Sequence, residues 1–516
     1  MGHEFGKIPA RRLRIAWLLL ILVFSWLPVR PQSAQPALNR SLPLNRFAAS
    51  RHADTTSSGF YFMTTAIGDD YFDGTSSMAR LRRHFSAAHR AGVQYLRCAF
   101  SWNGIEKTPG HYDWQFWDNL VALARQNHIQ LIPYVAYTPE WAARDRNDFW
   151  KQPPRDPMLY ADFMYTIASR YRGRIQSWEI WNEPDNKDYW MGTADEFATL
   201  AVAAAKRIRE ADPTAVLVLG GMAKGPGEFF RSLIEKHQLD RYVDVVAMHA
   251  YPESWLDAPA EFIFDDWVPE MSNMITADGS GDDLWLNEMG YPDYRFRANQ
   301  ASIYGTSVFY RYEHTRRYQA AMLFKMETMA LASGRVSLAG WYRIDDFPST
   351  EKRLGPDFVN YHLGVLDWRG RPKPALFALR FFNRLFRGPS RSLHLHITRK
   401  PDSHSVVKAF QRQDGRVIIV GWLRSSTENE IQDKSGLVRD RRSELVSVQL
   451  PCRSAHLDAA YDAEGTRVAI PAHVQGRDLS GIRLSGKRVF IAELSCAARH
   501  SARGHSSTVG QAAIPR

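Results

Sequence analysis

The chain is 516 residues long with 45% hydrophobic and 12% aromatic content, enough for a large domain and a smaller one with buried cores. Of its net charge of +11, +6 falls in residues 1–50 and +3 in residues 499–516, leaving +2 for the body between them. Basicity therefore sits in the flanks, and no basic stripe interleaved with aromatics marks a nucleic-acid groove, so a nucleic-acid partner is excluded.

In chain order, Arg11, Arg12 and Arg14 precede an apolar run from Ile15 to Leu27 that Pro28 ends, the layout of an export signal. The run is shorter than the ~20 residues of a membrane span. Gln32 occupies a position where cleavage after Ala34 favours a small residue, so an uncleaved inner-membrane anchor stays open. Residues 1–34 are read as signal or anchor, giving a periplasmic or secreted location, and the polar stretch 35–57 as a linker or wrapping segment.

From residue 58 strands and helices alternate. Strands are expected at Gly59 to Thr65, Val93 to Phe100, Gln130 to Ala136, Ile175 to Ile180, Ala215 to Gly220, Val243 to Met248, Leu284 to Asn287 and Ser337 to Tyr342. Helical spacing falls between them, at Ser76 to Ala91, Trp114 to Gln126, Pro157 to Tyr171, Ala194 to Glu210, Gly227 to His237 and Tyr312 to Ala332. Eight such strands in one domain, 58–387, predict an α/β fold of the closed (β/α)8 TIM-barrel type. No Gly-rich phosphate loop follows the first strand, which weakens an open doubly wound sheet.

After about residue 388 the texture changes to short β-type runs, with Gln413-Asp-Gly415 as a hairpin turn. Residues 388–496 are read as a smaller β-sandwich-like accessory domain, the charged stretch Ser425 to Arg442 as a solvated loop, and 497–516 as a disordered tail. The three cysteines, Cys98, Cys452 and Cys496, have no metal-ligand spacing, so no metal is expected. Cys98 is read as a small core residue, while in an exported chain Cys452 and Cys496 are able to pair.

Two stretches carry the chemistry. Gln176-Ser-Trp-Glu-Ile-Trp-Asn-Glu-Pro-Asp185 drives an aromatic strand into Glu183, and Pro184 can neither extend the strand nor enter a helix interior, so the carboxylate is left at the rim of the sheet. Leu284-Trp-Leu-Asn-Glu-Met-Gly-Tyr-Pro292 has the same build around Glu288. These glutamates end the fourth and seventh predicted strands and face each other across the mouth of a barrel. A carboxyl pair flanking one sugar is what glycosidic cleavage requires: one delivers a proton, the other meets the oxocarbenium ion.

Trp181-Asn-Glu-Pro184 and Asn287-Glu-Met-Gly290 resemble the strand ends of the clan A retaining glycoside hydrolases. Within the clan the chain is most similar to glycoside hydrolase family 39 and the PslG-like hydrolases of bacterial exopolysaccharide gene clusters, through Gly364-Val-Leu-Asp…Arg-Pro-Lys-Pro-Ala375 and a following small β-domain. The resemblance implies Glu183 as acid/base, Glu288 as nucleophile and Asn182 as the partner of the sugar 2-hydroxyl. It implies Arg97 as the residue orienting the nucleophile, His249 and Tyr251 as partners of substrate and nucleophile, and Trp341 as a sugar platform. Tyr137 and Trp141, past the third strand, are candidates to line a subsite.

Asp185 and Asn287 depart from the commoner residues of the clan, and Asp185 is the first place to look for substrate preference. The expected function is retaining hydrolysis of a bacterial extracellular polysaccharide or β-linked oligosaccharide by a cofactor-free monomer. An exo-acting, β-xylosidase-like enzyme and an inactive carbohydrate-binding barrel are the alternatives.

Overall fold

The computed structural model describes residues 62–64 (backbone only), 78–256, 258–277, 283–293, 313–347, 362–425, 440–469 and 472–497. The signal or anchor at 1–34, the 35–57 stretch, most of the charged Ser425 to Arg442 loop and the tail from residue 498 lie outside the described residues.

Strands β1 (Phe62–Thr64), β2 (Tyr95–Ser101), β3 (Gln130–Ala136), β4 (Ser177–Ile180), β5 (Val216–Met222), β6 (Val245–Ala250), β7 (Asp283–Met289) and β8 (Val336–Tyr342) form a closed barrel in that order. All its pairings are parallel, and β1 closes on β8 with Met63 opposite Trp341. Strands of this kind are covered on both faces, so they read as apolar runs without alternation; β5 and β7 are buried at every position.

The helices have ordinary local causes. They are α1 (Met78–Arg90), α2 (Trp102–Ile105), α3 (Gln115–Gln126), α4 (Pro157–Tyr171), α5 (Ala194–Ala211), α6 (Glu228–Arg231), α7 (Ala260–Phe262), α8 (Val268–Thr276), α9 (Arg316–Ser333) and α10 (Pro374–Leu385). Asp156 caps α4 by accepting from the Met158 amide at 2.9 Å, and Pro157 starts it where no amide hydrogen is needed. Thr193 and Glu196 form a reciprocal capping box on α5.

The helix expected over Gly227 to His237 is α6 running into a π-type turn at Ser232–Lys236. Between β6 and β7, α7 passes through a similar turn at Ile263–Trp267 into α8, whose first turn contains Pro269.

The C-terminal region holds strands β9 (Ser390–Ser392), β10 (His396–Thr398), β11 (Ser405–Arg412), β12 (Val417–Leu423), β13 (Ser443–Gln449), β14 (Ala455–Tyr461), β15 (His473–Gln475), β16 (Asp478–Ser485) and β17 (Phe490–Cys496). They form a four-stranded sheet, β10-β13-β16-β15, and a five-stranded sheet, β14-β17-β12-β11-β9. Both are antiparallel and share a core that includes Ile419, Val446, Ile482 and Leu494. The β11–β12 hairpin turns at Gly415, whose φ of +83° suits glycine.

Cys452 and Cys496 form a disulfide with Cα atoms 5.7 Å apart, and Cys98 on β2 is fully buried in the barrel wall. Helix α9 is buried around most of its circumference because α10, β8 and β11 all pack on it. Trp422 on β12 donates to Glu261 of α7 at 2.7 Å, and Lys325 of α9 donates to the Gly486 carbonyl at 2.8 Å, so polar groups also tie the C-terminal sheets to the barrel.

Candidate active site

The fourth strand ends under strain. After Ile180 the backbone enters positive φ at Trp181 (+69°) and again at Glu183 (+44°), and Tyr137 beyond β3 does the same at +75°. For non-glycine residues such backbone costs on the order of 1–3 kcal/mol each and persists only where the surroundings hold it. Here an aromatic cage does so. The fully buried Trp181 ring lies 5.0 Å from Trp190, 5.8 Å from Tyr160 and 6.3 Å from Tyr137, and its indole donates to the Tyr189 carbonyl at 3.1 Å. This twisted exit turns Asn182 and Glu183 into the mouth.

Beneath them lies a buried ionic layer. Arg97 of β2 donates from Nε and Nη2 to the two oxygens of Glu179 on β4 (2.7 and 2.8 Å), from Nη1 to Glu288 Oε2 (2.8 Å) and from Nη2 to Asn182 Oδ1 (2.7 Å). Its guanidinium also sits 4.2 Å above the Tyr134 ring centre. Glu179 accepts two further bonds, from Asn287 Nδ2 at 3.0 Å and the Gly221 amide at 3.1 Å. A buried ion pair is tolerable only when its remaining lone pairs and protons are bonded. Glu179 accepts four bonds, and one arginine thereby fixes both Asn-Glu strand ends.

The two rim carboxylates differ in surroundings. Glu288 takes bonds from Arg97 and from the Tyr251 hydroxyl. Glu183 accepts from Asn186 Nδ2 at 2.9 Å and meets His249 Nδ1 at 2.8 Å. Burial pushes the Glu183 carboxyl up to about 7, partly offset by the Asn186 bond and the Arg97 charge. Burial also lowers the His249 pKa, favouring the neutral imidazole.

His249 Nε2 stands 3.8 Å from Glu288 Oε2, and one donor atom each from Glu183, His249 and Glu288 lie within 4.8 Å of one another. Two glycines permit this crowding. A Cβ on Gly221 would lie 2.0 Å from His249 Nε2, and one on Gly290 would lie 2.8 Å from Tyr251 Cε1. A second acidic and histidine cluster, Asp293, Asp346 and His362, already holds a cation, with Lys373 Nζ at 3.1 and 3.0 Å from the two aspartates.

Glu183, Glu288, Asn182, Arg97, His249 and Tyr251 thus converge on one place. The other three candidates do not present a free face there. Trp341 is fully buried with its indole donating to the Leu363 carbonyl at 3.3 Å, and Tyr137 is 2% exposed inside the aromatic cage. Trp141 is half-buried, tied to the Glu106 carbonyl at 2.8 Å and edge-on to Trp102. Asp185 is taken up by the backbone, accepting from the amides of Ala223 and Lys224 at 2.9 and 2.8 Å, so it fastens the β5 exit to the β4 exit. Glu179 and Asn186 escaped sequence reasoning; the inward parity that Glu179 shares with Arg97 across the sheet is the one signal that marks it.

Residues 78–423 match the family model described as "Glycosyl hydrolases family 39". The chain is 25% identical over 231 residues to endo-1,4-beta-xylanase 3 of Hypocrea jecorina, covering 42% of this chain and 59% of that enzyme. It is 28% identical over 162 residues to endo-1,4-beta-xylanase C of Paenibacillus barcinonensis, covering 27% of this chain and 14% of that enzyme.

Among solved structures, a family 39 glycoside hydrolase from Bacteroides cellulosilyticus WH2 superposes with a TM-score of 0.62 at 15% identity, over 84% of this chain and 81% of that one. A monomeric beta-xylosidase from Caulobacter crescentus CB15 gives 0.57 at 16% identity, over 86% and 98%. These likenesses concern the fold, whereas the family model spans well over half of the sequence, and on that ground the chain belongs to glycosyl hydrolases family 39.

Proposed function

We propose that the chain is a retaining glycosidase acting on a β-linked glycan outside the cytoplasm, with Glu183 as acid/base and Glu288 as nucleophile. The observation that carries the reading is the pair itself: carboxylate oxygens within 4.8 Å of each other, in contrasting environments. Inverting enzymes hold their carboxyl groups ~6.5–9.5 Å apart to admit a water between them, and retaining ones at ~5–5.5 Å, so the spacing supports direct attack.

In the first step Glu288 attacks the anomeric carbon while Glu183 gives its proton to the departing glycosidic oxygen, leaving a glycosyl ester on Glu288. In the second Glu183 takes a proton from water, the hydroxide oxygen adds to the anomeric carbon, and the Glu288 ester bond breaks. Neutral His249, whose Nδ1 meets one oxygen of Glu183, and Asn186, donating to the other, orient the carboxyl toward the leaving group. Asn182 accepts from Arg97 at Oδ1, which leaves its amide NH2 to donate to a sugar 2-hydroxyl. Glu183, held near neutrality by burial, is suited to both roles at neutral pH.

The xylanase relatives support a β-1,4-linked backbone, and the Cys452–Cys496 disulfide together with the apolar run after Arg14 supports export. The test is digestion of a panel containing xylan, xylooligosaccharides and bacterial exopolysaccharides, with the anomer of the first product read by NMR. Retention is expected, and Glu288→Gln and Glu183→Gln each cut turnover by about 10³-fold or more. Initial release of the inverted anomer, or full activity in either variant, refutes the assignment.

A further inference from the structure

We propose that Trp255 is a stacking platform for a sugar of the bound glycan other than the one whose bond is cleaved, an assignment that rests on the glycosidase reading above. Trp255 lies four residues past Tyr251 and is 37% exposed, whereas Tyr251 is 8% exposed. Its ring meets the Tyr251 ring edge-on with centroids 4.3 Å apart, and the Tyr251 hydroxyl donates to Glu288. Trp255 therefore stands one aromatic ring away from the proposed nucleophile, in the loop after β6 on the C-terminal face of the barrel, the face that carries the active site in this fold.

The turn that carries it is fixed. The Leu256 amide donates to the Tyr251 carbonyl at 3.0 Å, the Ser254 hydroxyl donates to the Tyr251 and Pro252 carbonyls at 3.2 and 3.3 Å, and the Glu253 amide donates to the Ala258 carbonyl at 3.0 Å. Glu253 sits at φ +58° and turns its carboxylate into the protein, where the hydroxyls of Tyr291 and Tyr318 donate to Oε2 at 3.0 and 3.3 Å. Tyr318 in turn meets the Ser425 hydroxyl at 3.1 Å, so the turn is braced from β7, α9 and the C-terminal region together.

The buried Glu253 carboxyl, held at Oε2 by two tyrosine hydroxyls, anchors the turn against the cost of its left-handed backbone, and what the turn displays to solvent is an indole. Rigid aromatic faces bind at little cost in ordering, and a flat apolar face matches the C–H face of a pyranose. Among the described residues, Trp341 and Tyr137 are buried and Trp141 is half-buried against Trp102, whereas the Trp255 indole beside Tyr251 keeps an open face.

Kinetics on p-nitrophenyl β-xyloside, xylobiose, xylotetraose and xylohexaose, or on the matching oligomers of whichever glycan the wild type degrades, test the assignment. Trp255→Ala is expected to raise KM about tenfold on the longer oligomers, the size of one lost stacking contact. It should leave kcat unchanged and the shortest substrate unaffected, and Trp255→Phe should recover most of the loss. Equal loss on short and long substrates, a fall in kcat at constant KM, or no loss at all overturns the proposal; the first two would assign Trp255 to the placement of Tyr251 instead. A wild type that cleaves nothing in the panel fails the glycosidase reading itself, a result distinct from an active wild type with a silent Trp255→Ala.

Discussion

Two layers inside the barrel differ in chemistry while sharing the same strands. In the lower one, Ile132, Val218, Val245, Ala247, Trp285 and Leu338 form an apolar plug of their own, separate from the core between strands and helices. Two residues further along, the inward positions change: Ile132 gives way to Tyr134, Ala247 to His249 and Trp285 to Asn287, while Tyr95 at the border of the plug is followed by Arg97. The strand period of two places these residues one above another. The plug gains by leaving water, whereas the upper layer takes an arginine and several carboxyl groups out of water and needs a bond for each. In a barrel of this kind, stability resides low and chemistry high.

One substitution in each layer breaks that comparison open. Trp285→Ala empties a fully buried site and is expected to cost about 3–5 kcal/mol of stability. Turnover per folded molecule and the pH profile should stay near wild type. Glu179→Gln leaves volume almost unchanged but turns an amide NH2 toward Arg97 or Asn287; breaking a buried pair from one side costs a similar ~3–5 kcal/mol. It should also lower kcat per folded molecule, because Arg97 then no longer holds Glu288 and Asn182 in place. Denaturant melts beside active-site-normalised kcat separate the two, and equal turnover loss in both variants would erase the distinction between layers.

A smaller effect sharpens the point through pH. Burial raises Glu183 from 4.5 to about 7, so over that interval the folded chain keeps a proton that the unfolded chain has released. Stability is full below about 4.5 and declines as pH rises through about 7, by about 3 kcal/mol from this group. Glu253, likewise pushed up to about 7 by burial, adds a parallel decline. Glu183→Gln removes one of the two: it should melt with wild type at pH 4, above wild type at pH 8, and turn over poorly at both. In the wild type, kcat/KM should fall as pH rises through about 7, where the acid form is depleted. Identical pH–stability curves for the two proteins would show that Glu183 is not the strained group.

What could be seen in the sequence follows from where each signal resides. The Asn-Glu strand ends were legible because Pro184 and Gly290 punctuate them, and the barrel was legible because eight apolar runs alternate with helical spacing. Glu179 was not: mid-strand in Ser177–Ile180, it has no local mark, and its meaning comes from Arg97 two strands away. Trp341 and Tyr137 have the residue type and strand-end position of sugar-binding aromatics, but their burial depends on neighbours distant in sequence. In the C-terminal region β14 and β16 have weak local signals: Ala455–Tyr461 has no β-branched residue and β16 carries a glycine and charges, so pairing with β17 and β13 decides both.

The smallest expected effect concerns Asp185, the residue whose sequence pointed to substrate preference and whose structure points to backbone support. It is 8% exposed and spends both carboxylate oxygens on the amides of Ala223 and Lys224. Asp185→Asn keeps one acceptor and turns an NH2 group toward the other amide, a mismatch of about 1–2 kcal/mol. The melt should fall by that amount while the ranking of glycans in the digestion panel stays as in the wild type, since no part of the side chain is left to meet a sugar. A changed ranking at unchanged stability would return Asp185 to the binding surface and place the boundary between chemistry and support higher in the mouth than the β4 exit.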